Sequence, residues 1–264
     1  YTAEPVIFNA FVTKPTSQGR PPFTIWAVLR DVIFYIPPVV GSILIMLLSL
    51  MAMLVPVSRL KRQMAIGWML HRACRWLVGY AAFIHPERTG PDGKRIRQWR
   101  GDAGVIVANH QSSLDIIMIL ATFPKVKFMV ADWVLRSPLF GAISRFLGYY
   151  SRSEGYGKSL ERLHRDAADG WCLAVFPEGT RSLDGRIRRF HKGAFYLASH
   201  AGVPVIPVVF YGNWRIAPKN QGFNMFDGIS VTRVLPPVHA AGVEYHELAA
   251  DITRIVKNEY AALC

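Results

Sequence analysis

Residues 104–115 read GVIVANHQSSLD, and how this stretch is parsed decides the fold. Gly104 to Ala108 is a short, β-branched apolar run; Asn109 to Asp115 is polar and leads into an apolar, helix-length segment near 113–122. An apolar run of this length, bounded by turn-forming residues, is expected to be a strand buried on both faces. Three similar runs follow at 126–131 (VKFMVA), 172–176 (CLAVF) and 205–211 (VIPVVFY), and Ser230–Leu235 is a weaker candidate. Helix-length segments near 156–168, 193–202 and 244–262 complete an alternating pattern. Alternation of this kind predicts an α/β fold, a largely parallel or mixed sheet flanked by helices, with ligands at the carboxyl ends of the strands. Functional residues are then expected directly after strands.

The chain has 264 residues, of which 51% are hydrophobic and 19% charged, so global disorder is excluded. This length fits one large α/β domain, or one domain with an appendage. Mean hydropathy is positive at +0.20, yet 31 Lys and Arg against 18 Asp and Glu give a net charge of +13. A chain both apolar and basic points to an anionic membrane surface or a phosphorylated ligand before DNA. The basic run 181–192 contains a single aromatic residue, Phe190. Nucleic-acid grooves interleave several stacking rings with their cations, so no nucleic-acid partner is expected. Cys74, Cys172 and Cys264 show neither CxxC pairing nor Cys/His ligand spacing, so no disulfide framework and no metal site is expected.

Residues 1–31 are irregular, interrupted by Pro15, Pro21 and Pro22. Val32 to Ser58 then runs 27 residues without a charge. Its uninterrupted piece, Val39–Val55, would be roughly 26 Å long as a helix, against a hydrocarbon core of about 30 Å. The alternative is a buried helix of a soluble core. In 64–84, Ile66, Met69, Leu70, Ala73, Trp76, Leu77, Tyr80 and Ile84 recur at helical spacing, with Arg72 and Arg75 opposite. This predicts an amphipathic helix on the bilayer or folded back on the first helix; an ordinary surface helix is the competing reading. Ten Lys/Arg against two acids between Arg59 and Arg100 place the remainder on the cytoplasmic side. The organisation expected is an irregular segment 1–31, a membrane-associated helix pair 32–84 and an α/β domain 85–264.

Two polar clusters follow strands. In the first, His110 occupies a strand-to-helix turn, and Asp115 sits where its carboxylate can curl back to the imidazole, fixing its tautomer and stabilising its cation. Ser112-x-x-Asp115 also reads as a helix cap. The second is Phe176-Pro177-Glu178-Gly179-Thr180-Arg181-Ser182. Gly179 permits close backbone approach, Thr180 supplies a hydroxyl and Arg181 a fork for phosphate oxygens. Arg186, Arg188, Arg189 and Lys192 add charge downstream, although a solvated basic loop gives the same composition.

Together these clusters resemble the glycerolipid acyltransferase family, that of the 1-acylglycerol-3-phosphate acyltransferases. NHQSSLD (109–115) is similar to the family's NHx4D block, and FPEGTRS (176–182) to its EGTR block. Phe190-His191-Lys192-Gly193-Ala194-Phe195 resembles the F-x-K-G-A segment and Val203–Val208 the proline-containing block. Phe140-Gly141 with Leu147–Arg152 approximates the remaining block, whose arginine falls on Arg152. The likeness covers about 103–212 in the family's order. Ser151 stands where the family usually has Asp or Asn, and Ala131-Asp132 where many members carry a lysine.

The resemblance implies a membrane-bound acyltransferase that moves a fatty acyl group from acyl-CoA or acyl-carrier protein to the free hydroxyl of lysophosphatidic acid, giving phosphatidic acid. His110 would be the general base and Asp115 its orienting partner. Glu178, Gly179, Thr180, Arg181, Arg152 and Lys192 would bind substrate. Transfer would be direct, since neither GxSxG nor a Cys–His pairing offers a nucleophile, and no cofactor beyond the acyl donor is implied. Open alternatives are another lysolipid acceptor (a lyso-ornithine lipid or lysophospholipid), hydrolysis by the same His–Asp pair, and a non-catalytic basic membrane-binding module.

Overall fold

The structure, a computed structural model, describes residues 56–81, 84–138, 141–220 and 226–264, with individual helical positions between Leu29 and Met51. Its centre is a seven-stranded sheet. The strands are β1 (Ile84–Thr89), β2 (Val105–Ala108), β3 (Val126–Val130), β4 (Tyr150–Ser151), β5 (Cys172–Val175), β6 (Val205–Tyr211) and β7 (Gly228–Val234). They lie in the order β1-β7-β6-β2-β5-β3-β4. Neighbours run parallel except β6 and β7, which pair antiparallel, so the sheet is mixed.

Helices α1 (Arg59–Tyr80) and α2 (Leu114–Thr122) cover one face; α5 (Tyr156–Ala168), α6 (Gly193–Ala201) and α8 (Tyr245–Ala261) cover the other. The strand pleat divides the core between them. Ile106, Ala108, Ala174 and Ile206 pack with Leu114, Met118 and Ile119. Val105, Val107, Leu173 and Val205 pack with Phe195, Leu248 and Ile252. All residues of β2 are fully buried, each large side chain contributing about 1.5–3 kcal/mol, which is why this strand reads as continuously apolar. Short helices α3 (Asp132–Arg136), α4 (Gly141–Leu147) and α7 (Asn213–Ile216) fill the connections.

The topology sets the site. β2 leads through α2 on one face to β3, whereas its neighbour β5 leads through α6 on the opposite face to β6. Where adjacent connections leave to opposite faces, a crevice opens at the carboxyl ends of the strands. His110 and Glu178 follow those two ends.

The amphipathic element differs from the expected 64–84. Ser58 caps α1 by accepting from the Lys61 N–H, the helix ends at Tyr80, and Ile84 begins β1. Its buried residues are Gln63, Ile66, Gly67, His71, Leu77 and Val78. Trp76 and Tyr80, counted into the apolar stripe by spacing, are exposed and stack with centroids 4.9 Å apart; Arg72 lies over Trp68. Strand β1 (IHPERT) is polar because it is an edge strand, where Pro86 and charges are tolerated.

The Val39–Val55 run falls largely outside the described residues. Described positions Leu29, Val32, Ile33, Ile36, Val40, Leu44, Leu47, Leu48 and Met51 are helical and exposed. Among the described residues no helix is long and apolar enough to cross a membrane.

Candidate active site

The NHQSSLD turn is held from both ends. Asn109 is fully buried; its side chain donates to the Phe210 carbonyl at 2.9 Å and accepts from the Phe210 N–H at 2.8 Å, extending the β2–β6 ladder by one rung. The next residue, His110, is thereby fixed just beyond the sheet. Its Nδ1 lies 2.8 Å from Asp115 Oδ2. A carboxylate only accepts, so Nδ1 carries the proton and Nε2 keeps its lone pair. Phe176, at the end of β5, stacks on the imidazole with centroids 3.9 Å apart.

Asp115 is inaccessible to solvent and accepts four hydrogen bonds. Oδ2 takes His110 Nδ1 and the N–H groups of Gln111 (2.6 Å) and Ser112 (2.8 Å); Oδ1 takes Asn213 Nδ2 (2.7 Å). The carboxylate that orients the histidine thus also fastens the turn ahead of the helix, while the first helical N–H, that of Leu114, goes to the Ser112 hydroxyl at 3.2 Å. The Ser112 hydroxyl is turned to the Ala217 carbonyl.

Glu178 is buried as well. Oε1 accepts from the His110 N–H at 2.8 Å and Oε2 from the Arg188 N–H at 2.9 Å. Burial pushes its carboxyl above the usual carboxylate range, against the pull of those two N–H groups. Both oxygens bond backbone, so this side chain ties the EGTR turn and the basic loop to the histidine and does not reach Arg181. Ser182 N–H donating to the His110 carbonyl at 2.8 Å adds a second tie.

The turn itself needs Gly179, whose φ is +70°. A Cβ there would stand 3.9 Å from Arg152 Nη2 and 3.8 Å from His191 Cδ2, so Arg152 does come to the EGTR turn from β4. Thr180 Oγ1 accepts from Lys219 Nζ at 2.8 Å. The Arg181 guanidinium forms no hydrogen bond or ion pair among the described residues. Lys192 lies elsewhere: its Nζ meets His246 Nδ1 on α8, in a cleft with Arg189 and Lys257. The structure therefore brings His110, Asp115, Glu178, Gly179, Thr180 and Arg152 into one crevice with Arg181, and does not bring Lys192.

Several contributors were not found by sequence reasoning. Asn213 bridges Asp115 to Ser230, whose hydroxyl donates to Asn213 Oδ1 at 2.6 Å. It follows the carboxyl end of β6, a position that could have flagged it. Lys219 and the Gln111–Tyr260 contact (2.8 Å) carry no comparable signal. Ser151 and Asp132, the two departures from the family pattern, are bonded to each other, the Ser151 hydroxyl donating to the Asp132 carboxylate. The Ser151 and Ser153 hydroxyls hold that carboxyl below its ordinary pKa.

A buried carboxylate and an oriented imidazole, its Nε2 without a partner among the described residues, can remove a proton from a hydroxyl, and the Arg181 guanidinium of the neighbouring turn, also without a partner among them, can hold an anion. Residues 86–211, just under half of the chain, match the family model described as Acyltransferase. Over this stretch the chain resembles the 1-acyl-sn-glycerol-3-phosphate acyltransferases. A chloroplastic member from Brassica napus is 36% identical over 121 residues, 44% of this chain and 35% of the relative. The human beta form is 27% identical over 209 residues, 75% of this chain and 68% of the relative. The crystal structure of the 1-acyl-sn-glycerophosphate (LPA) acyltransferase PlsC from Thermotoga maritima superposes with a TM-score of 0.77 at 24% identity, covering 90% of this chain and 96% of that one; the two share a fold. The matched stretch spans about a third of the Brassica napus relative's length.

Proposed function

We propose that the protein transfers a fatty acyl group from acyl-CoA or acyl-carrier protein to the free hydroxyl of lysophosphatidic acid, giving phosphatidic acid. The observation that carries this reading is the 2.8 Å His110–Asp115 pair, open at Nε2 and tied through Glu178 to the turn that presents Arg181. The names of the relatives support the acceptor class.

In the step envisaged, the acceptor oxygen attacks the thioester carbonyl while its proton passes to His110 Nε2. The new C–O bond forms, the C–S bond breaks on collapse of the tetrahedral adduct, and the imidazolium returns the proton to the departing thiolate. Asp115 stabilises the imidazolium without taking its proton. Arg181, with Arg152, holds the acceptor phosphate, the guanidinium fork matching two oxygens. The exposed apolar side chains at the described positions between Leu29 and Met51, with Trp68, Trp76 and Trp133, support work at a membrane surface, and the Lys/Arg excess between Arg59 and Arg100 supports its cytoplasmic side.

A second acceptor is favoured by one observation. Asp132, anchored by Ser151 next to Arg152, puts a carboxylate beside the expected headgroup site, which suits a lysolipid carrying a cationic group as well as an anion. An acyl-transfer assay on the purified protein, with acyl-CoA and a panel of lysophosphatidic acid, zwitterionic lysophospholipids and lyso-ornithine lipid, separates these. Preferred acylation of lysophosphatidic acid is expected. Fatty acid release independent of any acceptor would replace the transfer reading with hydrolysis.

A further inference from the structure

A cleft of about 390 Å³ opens at the β3–β4 edge of the sheet, lined by Arg59, Gln63, Lys127, Arg145, Arg162 and Arg165, with Asp166 as the acid among them. It is separate from the crevice described above. Lys127 is paired in register with Leu173, near the amino ends of β3 and β5, whereas His110 and Glu178 follow carboxyl ends.

The cleft has an organised centre. A Cβ on Gly148 would stand 3.6 Å from Arg162 Nη2 and 3.7 Å from both Gln63 Nε2 and Lys127 Nζ. Nitrogen donors from α1, β3 and α5 therefore converge on one point, which Gly148, at φ +73°, leaves free of a side chain. Lys127 Nζ gives one bond to Asp166 Oδ1 (2.6 Å) and Gln63 Nε2 one to the Phe146 carbonyl (2.7 Å), so both retain N–H groups. Arg162 bonds Glu154 through Nη1 at 2.6 Å, lies over the Tyr150 ring and donates through Nη2 to the Gly148 and Tyr149 carbonyls, so it stands at the convergence point as a fixed charge and not as a free donor. Arg59 and Arg165 are exposed at the rim, with no ion pair among the described residues.

Burial holds the Lys127 ammonium below the usual lysine range, and the Arg162 charge adds to this. An anion at the convergence point would relieve both effects. Donors arriving from several directions suit an oxyanion with several lone pairs. We propose that this cleft binds a phosphate group, carried by a lipid headgroup or free in solution. α1, which supplies Arg59 and Gln63, also carries the exposed Trp68 and Trp76, so a headgroup at an interface has access to the rim.

The test uses the full chain in detergent, with inorganic phosphate and vesicles as probes, comparing wild type, the Arg59→Gln/Arg165→Gln double variant and Arg181→Gln. Both rim residues are exposed, so the double variant is expected to fold, and its melting curve without phosphate checks this. Wild type should bind phosphate at this cleft as well as at the acceptor site; the cleft binding should persist in Arg181→Gln and weaken about tenfold or more in the double variant, as expected for loss of charge-assisted contacts. In sedimentation with phosphatidylcholine vesicles with or without phosphatidic acid, a preference for phosphatidic acid that is lost in the double variant and competed by phosphate identifies a lipid headgroup. Weakened phosphate binding with unchanged vesicle preference identifies a soluble anion. If wild type and the double variant do not differ toward either probe, the proposal is overturned, including the case in which Arg181→Gln alone abolishes phosphate binding.

Discussion

Asp115→Asn separates the charge of the carboxylate from its shape. Three N–H donors meet Oδ2 and one meets Oδ1, so the amide oxygen must take the Oδ2 place. Its NH2 then faces the Asn213 NH2. Asn213 can flip to accept it, because the Ser230 hydroxyl, now its donor, can also accept. The structural cost is thus confined to a rearranged buried network, about 1–3 kcal/mol. His110 keeps its tautomer, since an amide oxygen still accepts from Nδ1. What is lost is the negative charge beside the imidazolium. At a charge separation of about 4 Å and an effective dielectric of about 20, that attraction is about 4 kcal/mol, or about 10³-fold in rate. Steady-state thiol release by the purified variant should show kcat reduced by about this factor, with KM for both substrates within severalfold and a cooperative melt retained. A kcat within tenfold of wild type in a folded variant would refute the assignment of His110 as a base that becomes charged.

Asn213→Ala strands Asp115 Oδ1 and the Ser230 hydroxyl in a buried site, so urea unfolding should report a loss of about 2–4 kcal/mol and the assay a kcat lowered about tenfold. Arg181→Lys replaces a fork with a point charge and should raise the acceptor KM by about 10–100-fold while leaving saturating kcat and the donor KM nearly unchanged. Glu178 is held above the usual carboxylate range by burial, so the folded state binds its proton more tightly than the unfolded chain. Its contribution to stability is therefore highest below the ordinary glutamate value and declines as pH rises to the raised one. Denaturation of wild type and Glu178→Gln across that window should show the wild-type advantage shrinking with rising pH; a constant difference would contradict the burial argument.

The strands legible in sequence are those buried on both faces. β2, β5 and β6 show as unbroken apolar runs because no face of theirs meets water. β1, with Pro86 and charges, and the two-residue β4 lack that signature because edge positions do not demand it. The register of α1 misled for a related reason: Trp76 and Tyr80 are apolar enough to fit the stripe, yet they stack on the exposed side, while Gln63 and His71 are buried. At the site, His110 and Asp115 are five residues apart, and local spacing suffices to pair them. Asn213 reaches Asp115 across 98 residues, and such a contact exists only once the sheet has formed. Lys192 shows the converse. Its charge adjoins the basic loop in sequence, but α6 begins there and its ammonium meets His246.

The side chain of Gln111 donates to the Tyr260 hydroxyl, 149 residues further along, and Tyr260 in turn donates to the Gly185 carbonyl at 2.7 Å. The loop behind the EGTR turn is therefore latched by one of the last turns of α8. During synthesis at about 5–20 residues per second, roughly 7–30 s separate the appearance of the histidine turn from that of its latch. A nascent chain can carry His110, Asp115 and the EGTR turn while the loop that follows that turn still lacks its fastening. Competence to turn over would then arrive late and abruptly, set by completion of α8 and not by assembly of the residues that do the chemistry.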